Sequence, residues 1–269
     1  MPVRREKGRS RVGFRVELRD TARLPRQSPG SSPTFHLGLI GGFSLRRDDE
    51  PIHLPISAQR LVAFLALSER PAMRSHVAGT FWPDVSEDRA LANLRSVIWR
   101  LRGPGHEILA SDGGQLALRR DVIVDMRNLS RTAFDILEAR DAAPLAFESL
   151  THAGELLPDW SDEWVFADRE RYHQLRLHAL ERLCQQRAAT GRYGLAVEAC
   201  LAAVAAEPLR ESAQRQLIEV YLSEGNRAAA LRQYVSYQRV IREEVGVEPS
   251  REITDLVREL RLAGTARPA

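Results

Sequence analysis

Cysteine is nearly missing from this chain, with Cys184 and Cys200 the only two in 269 residues. That excludes a scaffold held by several disulfides and any zinc site built from paired Cys-x-x-Cys motifs. Long apolar runs are missing too: nothing approaches the roughly 20 residues needed to span a bilayer. The first thirty residues scatter arginines among acids without the ordered segments of a signal peptide, so a reducing cytoplasm is the expected compartment. Lysine is reduced to Lys7. Gly103, Pro104 and Gly105 therefore cannot belong to a phosphate-binding loop, which needs a following lysine. The seven histidines (His36, His53, His76, His106, His152, His173 and His178) contain no pair at i,i+4, and there is no His-Glu-x-x-His motif. No nucleophile and base can be named, so neither catalysis nor a cofactor or metal is expected.

What is present is an ordinary globular composition, 43% hydrophobic and 28% charged, in a length that suits one large domain or two modest ones. The net charge of +3 is unevenly distributed. Residues 1–33 carry +6, residues 34–128 carry +1 and residues 129–269 carry −4. Any nucleic-acid binding by the globular part must come from a local basic stripe rather than bulk charge. Residues 1–33 end in a Pro/Ser/Gly-rich stretch without apolar periodicity and read as a disordered basic arm, either a flexible leader or a nonspecific phosphate binder.

Residues 34–128 read as a mixed domain. FHLGLI, the stretch from Phe43 to Leu45 and PIHLPI suggest short strands. Ser57 is the expected cap of a first helix with Leu61, Val62, Phe64, Leu65 and Leu67 on one face. A second helix is predicted over residues 75–82, stopped by Pro83. A third starts at Ser86, with Glu87 and Asp88 favouring its N-terminus, and runs toward Gly103 and Pro104. EILA and QLALRR flank Ser111, Asp112, Gly113 and Gly114 as a hairpin. Strands, three helices and a hairpin describe a winged helix-turn-helix.

Residues 129–262 read as all-α. GRYGLAVEAC from Gly191 and GNRAAALRQY from Gly225 lie 34 residues apart, the tetratricopeptide period, and a degenerate earlier copy around Ala146 and Pro158 brings the array to about three repeats. Cys184 and Cys200 fall at apolar repeat positions and read as buried packing residues. Trp160 and Trp164 read as anchors of a helix connection, and Tyr221, Tyr234 and Tyr237 as repeat packing in preference to a groove lining.

The third helix carries the functional signal. Leu91, Leu94, Val97, Ile98 and Leu101 share one face. The opposite side presents Arg89, Asn93, Ser96 and Arg100, flanked by Arg95 and Arg102. These side chains suit base edges and phosphates in a major groove, and the helix lies between two shorter helices and a wing. The same face would also serve as an ordinary solvated surface. Arg119, after the second wing strand, is a further phosphate candidate. Trp82, Pro83, Asp84 and Val85 join the second and third helices, with Trp82 also suited to plugging the core.

LVAFLAL, FWPDVSEDRALANLRSVIWRLR, the repeats and the ending EEVGVEPSREI resemble the antibiotic regulatory protein (SARP) family of bacterial transcriptional activators over roughly residues 35–260. The resemblance implies a winged helix joined to a bacterial transcriptional activator domain, direct-repeat promoter sites on double-stranded DNA, a homodimer formed there and recruitment of RNA polymerase. It implies that Arg89, Asn93, Ser96 and Arg100 face DNA, and that the loop of Trp82, Pro83, Asp84 and Val85 faces polymerase. Family wings often carry an arginine where this chain has Ser111 to Gly114, so minor-groove contact is not expected here. The ATPase extension of larger relatives has no counterpart in these residues, so no nucleotide switch is expected. The rival expectation is a tetratricopeptide scaffold that binds a protein or peptide, with the front module as a structural cap.

Overall fold

The computed structural model describes residues 33–68, 70–101, 106–112, 114–138 and 144–265. The expected basic arm, apart from Pro33, and Arg102 lie outside the described residues.

The chain begins with β1 (Phe35–Gly38), β2 (Ser44–Arg47) and β3 (Glu50–Pro51), paired antiparallel in sequence order. Burial alternates along β1 and β2, so Leu37 and Leu45 meet across the ladder and face the core while His36 faces solvent. PIHLPI was expected as a strand, but it contributes only Pro51. Ile52 still donates to the Leu45 carbonyl (2.8 Å), after which residues 52–55 leave the ladder toward α1 (Ile56–Leu67). Ser57 does not cap α1. Pro55 occupies that place with φ −60°, and its carbonyl accepts from Ala58 and Gln59 at 2.8 and 3.0 Å. Proline fits because its fixed φ is already compatible and no amide N–H is needed there. The broad apolar face is buried as expected, including Leu61, Val62, Phe64 and Leu65.

After β4 (Ala72–Met73), α2 (Arg74–Phe81) begins and ends one residue earlier than predicted, and the Trp82 amide still closes its last turn on Ala78 O (3.0 Å). Ser86 takes the cap position of α3 (Glu87–Arg100), but its side chain makes no capping bond; the backbone carbonyl accepts from Ala90 (2.9 Å). Regular helix ends at Arg100, with Leu101 as the capping residue, short of Gly103. The wing is β5 (Leu109–Asp112) and β6 (Gln115–Leu118), with β4 on the other side of β6. Finally β7 (Ile123–Val124) returns to lie parallel to β1. This is a winged helix-turn-helix.

The rest is helical: α4 (Asp125–Leu137), α5 (Pro144–Thr151), α6 (Glu163–Ala189), α7 (Tyr193–Ala206), α8 (Glu211–Ser223), α9 (Arg227–Glu244) and α10 (Arg251–Thr265). They form a tetratricopeptide-like array in which α10 packs on α8 and α9. Gly191 and Gly225, one repeat period apart, end α6 and α8 with φ 71° and 84°. These are left-handed conformations that glycine adopts without a Cβ clash. Ala196 and Ala230 are fully buried where paired helices approach, and Tyr234 and Tyr237 are buried between repeats. Cys184 and Cys200 are buried as expected but are not simple packing thiols: a disulfide joins α6 to α7. Their placement one above the other at facing repeat positions brings the sulfurs together.

The core of the winged helix extends into the helical half through Leu156, Leu157, Val165 and Tyr172. Trp164 at the start of α6 packs edge-on to Phe64 and stacks on Phe81, with ring centroids at 5.3 and 5.8 Å. Trp160 meets both Trp164 and Phe43. Arg60 pairs with Asp162 and covers the Phe81 ring at 5.0 Å. Arg169 donates to the carbonyls of Leu156, Leu157 and Trp160. Across the same seam the Leu157 amide donates to Leu39 O (2.9 Å) and the Gly41 amide to Glu155 O (2.8 Å). The tryptophans are thus anchors, as expected, and what they anchor is the whole helical half onto the winged helix.

Candidate nucleic-acid interface

Apolar periodicity fixes which side of α3 turns outward. Ala90, Leu94, Val97 and Leu101 are buried, and Leu91 and Ile98 are half-buried against the same core. Arg89, Arg95, Ser96 and Arg100 are exposed, while Asn93 is half-buried at the edge. The exposed face centres on Ala92, Ser96 and Trp99, rotated roughly 60° around the helix axis from the stripe read in the sequence, at 100° per residue. Trp99, 64% exposed, is the large apolar side chain at its middle.

A concave groove of about 970 Å³ runs between α3 and the wing. From α3 it receives Arg95, Ser96, Trp99 and Arg100; from α2 comes Arg74 and from the wing Ser111. Arg74 donates to the Ser111 hydroxyl (3.0 Å), tying the start of α2 to the wing. Ser96 returns its hydroxyl to Ala92 O (3.1 Å), which leaves oxygen lone pairs outward as acceptors. Arg89 and Asn93 lie beyond the groove's lining. Arg74, Trp99 and Ser111 were not singled out from sequence. Trp99 could have been found there, since helical spacing places it opposite the buried stripe; Arg74 and Ser111 join only through tertiary structure.

Arg119 stands apart. Its guanidinium holds Asp121, with Nε to Oδ1 at 3.0 Å, and it lies at the base of the wing beside Ile108. The bond to Asp121 raises the arginine above its ordinary pKa and lowers the carboxylate below its own. A phosphate would have to displace that partner. Trp82 is half-buried, edge-on to Phe81 at 5.8 Å, and acts as the core plug at the end of α2. Pro83, Asp84 and Val85 are exposed. No group of three or more metal-ligating side chains occurs among the described residues.

Residues 128–261 match the family described as "Bacterial transcriptional activator domain". The chain is similar to the regulatory protein AfsR of Streptomyces griseus (28% identity over 92% of this chain) and of Streptomyces coelicolor (30% over 91%). It spans about a quarter of those relatives, 27% and 26% of their lengths. Among solved structures it resembles Mycobacterium tuberculosis EmbR in complex with a low-affinity phosphopeptide, with a TM-score of 0.62 at 19% identity, covering 88% of this chain and 67% of that one. That likeness shows a shared fold. The fold is a winged helix-turn-helix joined to a helical domain that matches the bacterial transcriptional activator family. The chain belongs with the SARP-type transcriptional regulators.

Proposed function

We propose that this protein is a sequence-specific, DNA-binding transcriptional activator without catalytic activity. Residues 34–128 are its DNA-binding unit and residues 129–262 its activator domain. In this reading α3 enters the major groove of a promoter direct repeat. Arg89, Asn93, Ser96 and Arg100 address bases, and Arg95 with Arg74 holds phosphates. Arg102 and Arg119 are further phosphate contacts, Arg119 after giving up Asp121. Two protomers sit side by side on adjacent repeats, and the loop of Trp82, Pro83, Asp84 and Val85 meets RNA polymerase. No cofactor is invoked.

The observation that carries the reading is the uncovered outer face of α3, with its arginines converging on the groove beside the wing. A solvated helix face gives no reason for Arg74 and Ser111 to join it from other segments. The test is a fluorescence-anisotropy titration of the full chain on promoter fragments against scrambled duplexes. Preferential binding is expected, and four neutralised phosphates give a log–log salt slope of roughly −4. Equal affinity for all duplexes, or a slope near zero, removes the proposal and leaves the scaffold reading.

A further inference from the structure

A second cleft, of about 770 Å³, opens where the winged helix meets the helical half. Four arginines reach it from four segments: Arg70 before β4, Arg120 after β6, Arg127 on α4 and Arg171 on α6. Asp168 is the sole carboxylate among the described lining residues, which together carry a net charge of +3. Arg127 is fixed across the cleft by Nε and Nη2 donating to Ala66 O at 3.1 and 2.7 Å, and Arg171 pairs with Asp168 at 3.4 Å. Arg70 and Arg120 are exposed and have no carboxylate partner among the described residues. Like charges gathered in this way repel one another unless an anion joins them.

The remainder of the wall is apolar. Leu175 and Met126 line it, and Phe134, 55% exposed, stands beside them. Tyr172 also lines the cleft, and its buried hydroxyl has no hydrogen-bond partner among the described residues. Burial pushes that hydroxyl's pKa up to about 12, so it stays protonated and able to donate. A bare phosphate does not need this volume or the apolar wall, and a neutral hydrocarbon does not account for four arginines.

We propose that this cleft binds a small amphipathic organic anion, an apolar ring or chain bearing a carboxylate or phosphate headgroup. The headgroup meets Arg70 and Arg120, whose planar forks match either oxyanion, and the apolar body lies along Leu175 and Phe134. A molecule so placed touches the wing strand β6 and helix α6 at once. The site does not depend on the DNA-binding reading, because it is tested on the protein alone.

The experiment titrates the full chain, without DNA, with the fluorescent anion 8-anilinonaphthalene-1-sulfonate. Decanoate, decyl phosphate, decanol and inorganic phosphate then compete separately. Saturable binding at one site is expected, displaced by decanoate and by decyl phosphate, whose relative strengths identify the headgroup, and not by decanol or inorganic phosphate. The double substitution Arg70→Glu with Arg120→Glu should weaken binding by at least about tenfold with an unchanged thermal unfolding transition, since both side chains are exposed. Absent or unsaturable binding overturns the proposal. So does unchanged affinity in the double variant, displacement by decanol as strong as by decanoate, or displacement by inorganic phosphate alone.

Discussion

Arg95 and Arg100 approach the groove from different sides of α3, and the proposed docking gives them different work. Arg100→Ala should cost about 1–3 kcal/mol on the preferred sequence and much less on scrambled DNA, as expected for a base contact. Arg95→Ala should weaken binding evenly on every duplex and reduce the salt slope by about one. Anisotropy on two duplexes at several salt concentrations separates them, and a uniform loss for Arg100→Ala demotes it to a phosphate contact. Away from the groove, Asp125 accepts from the Leu39 and Ile40 amides at 2.9 and 3.0 Å, fastening the start of α4 to the end of β1. Asp125→Ala leaves those donors without a partner and should destabilise by about 1–3 kcal/mol in urea unfolding. Helical periodicity was enough to read the outward arginines. It could not show that Asn93 sinks half-way into the edge or that Arg74 and Ser111 complete the groove, because those facts depend on the wing folding back over α3.

The repeat elements were legible because their signals are local. Gly191 and Gly225 each end a helix, and the 34-residue spacing shows without any tertiary knowledge. Gly191→Ala forces a Cβ into the left-handed region and should cost about 1 kcal/mol by thermal unfolding. Less legible was the way the helices are cross-tied. Burial alone pushes the Glu181 carboxyl up, but hydrogen bonds from Arg210 and Ser212 outweigh it and hold the group below the usual carboxylate range. A carboxylate depressed in the folded state contributes stability above its unfolded pKa, about 4.3, which is lost as pH falls through the folded value. The melting temperature should therefore fall on acidification below that point, and Glu181→Gln should show a shallower fall. The link between Cys184 and Cys200 spans 16 positions. Reduction by dithiothreitol should lower stability by about 3 kcal/mol, readable as a lowered calorimetric transition. Sequence spacing placed both sulfurs inside but did not show that they face one another.

For the whole molecule, the outcome depends on the junction. Trp160 and Trp164 were readable as anchors, yet their partners Phe43, Phe64 and Phe81 lie about a hundred positions earlier, a separation that no local pattern spans. Because these rings form one core with the winged helix, the chain should unfold in a single calorimetric transition. Trp164→Ala removes packing from both halves, should cost about 3 kcal/mol, and should split that transition in two. Arg169 clasps three carbonyls of the segment that bonds to the winged helix through Leu157 and Leu39. If two copies read neighbouring repeats, each is a stiff body whose bearing around the duplex is set by where its own α3 sits. Inserting about five base pairs between the repeats would carry one copy to the far side of the double helix, and inserting about ten would bring it back. Promoter output should then rise and fall with the helical phase of the spacer.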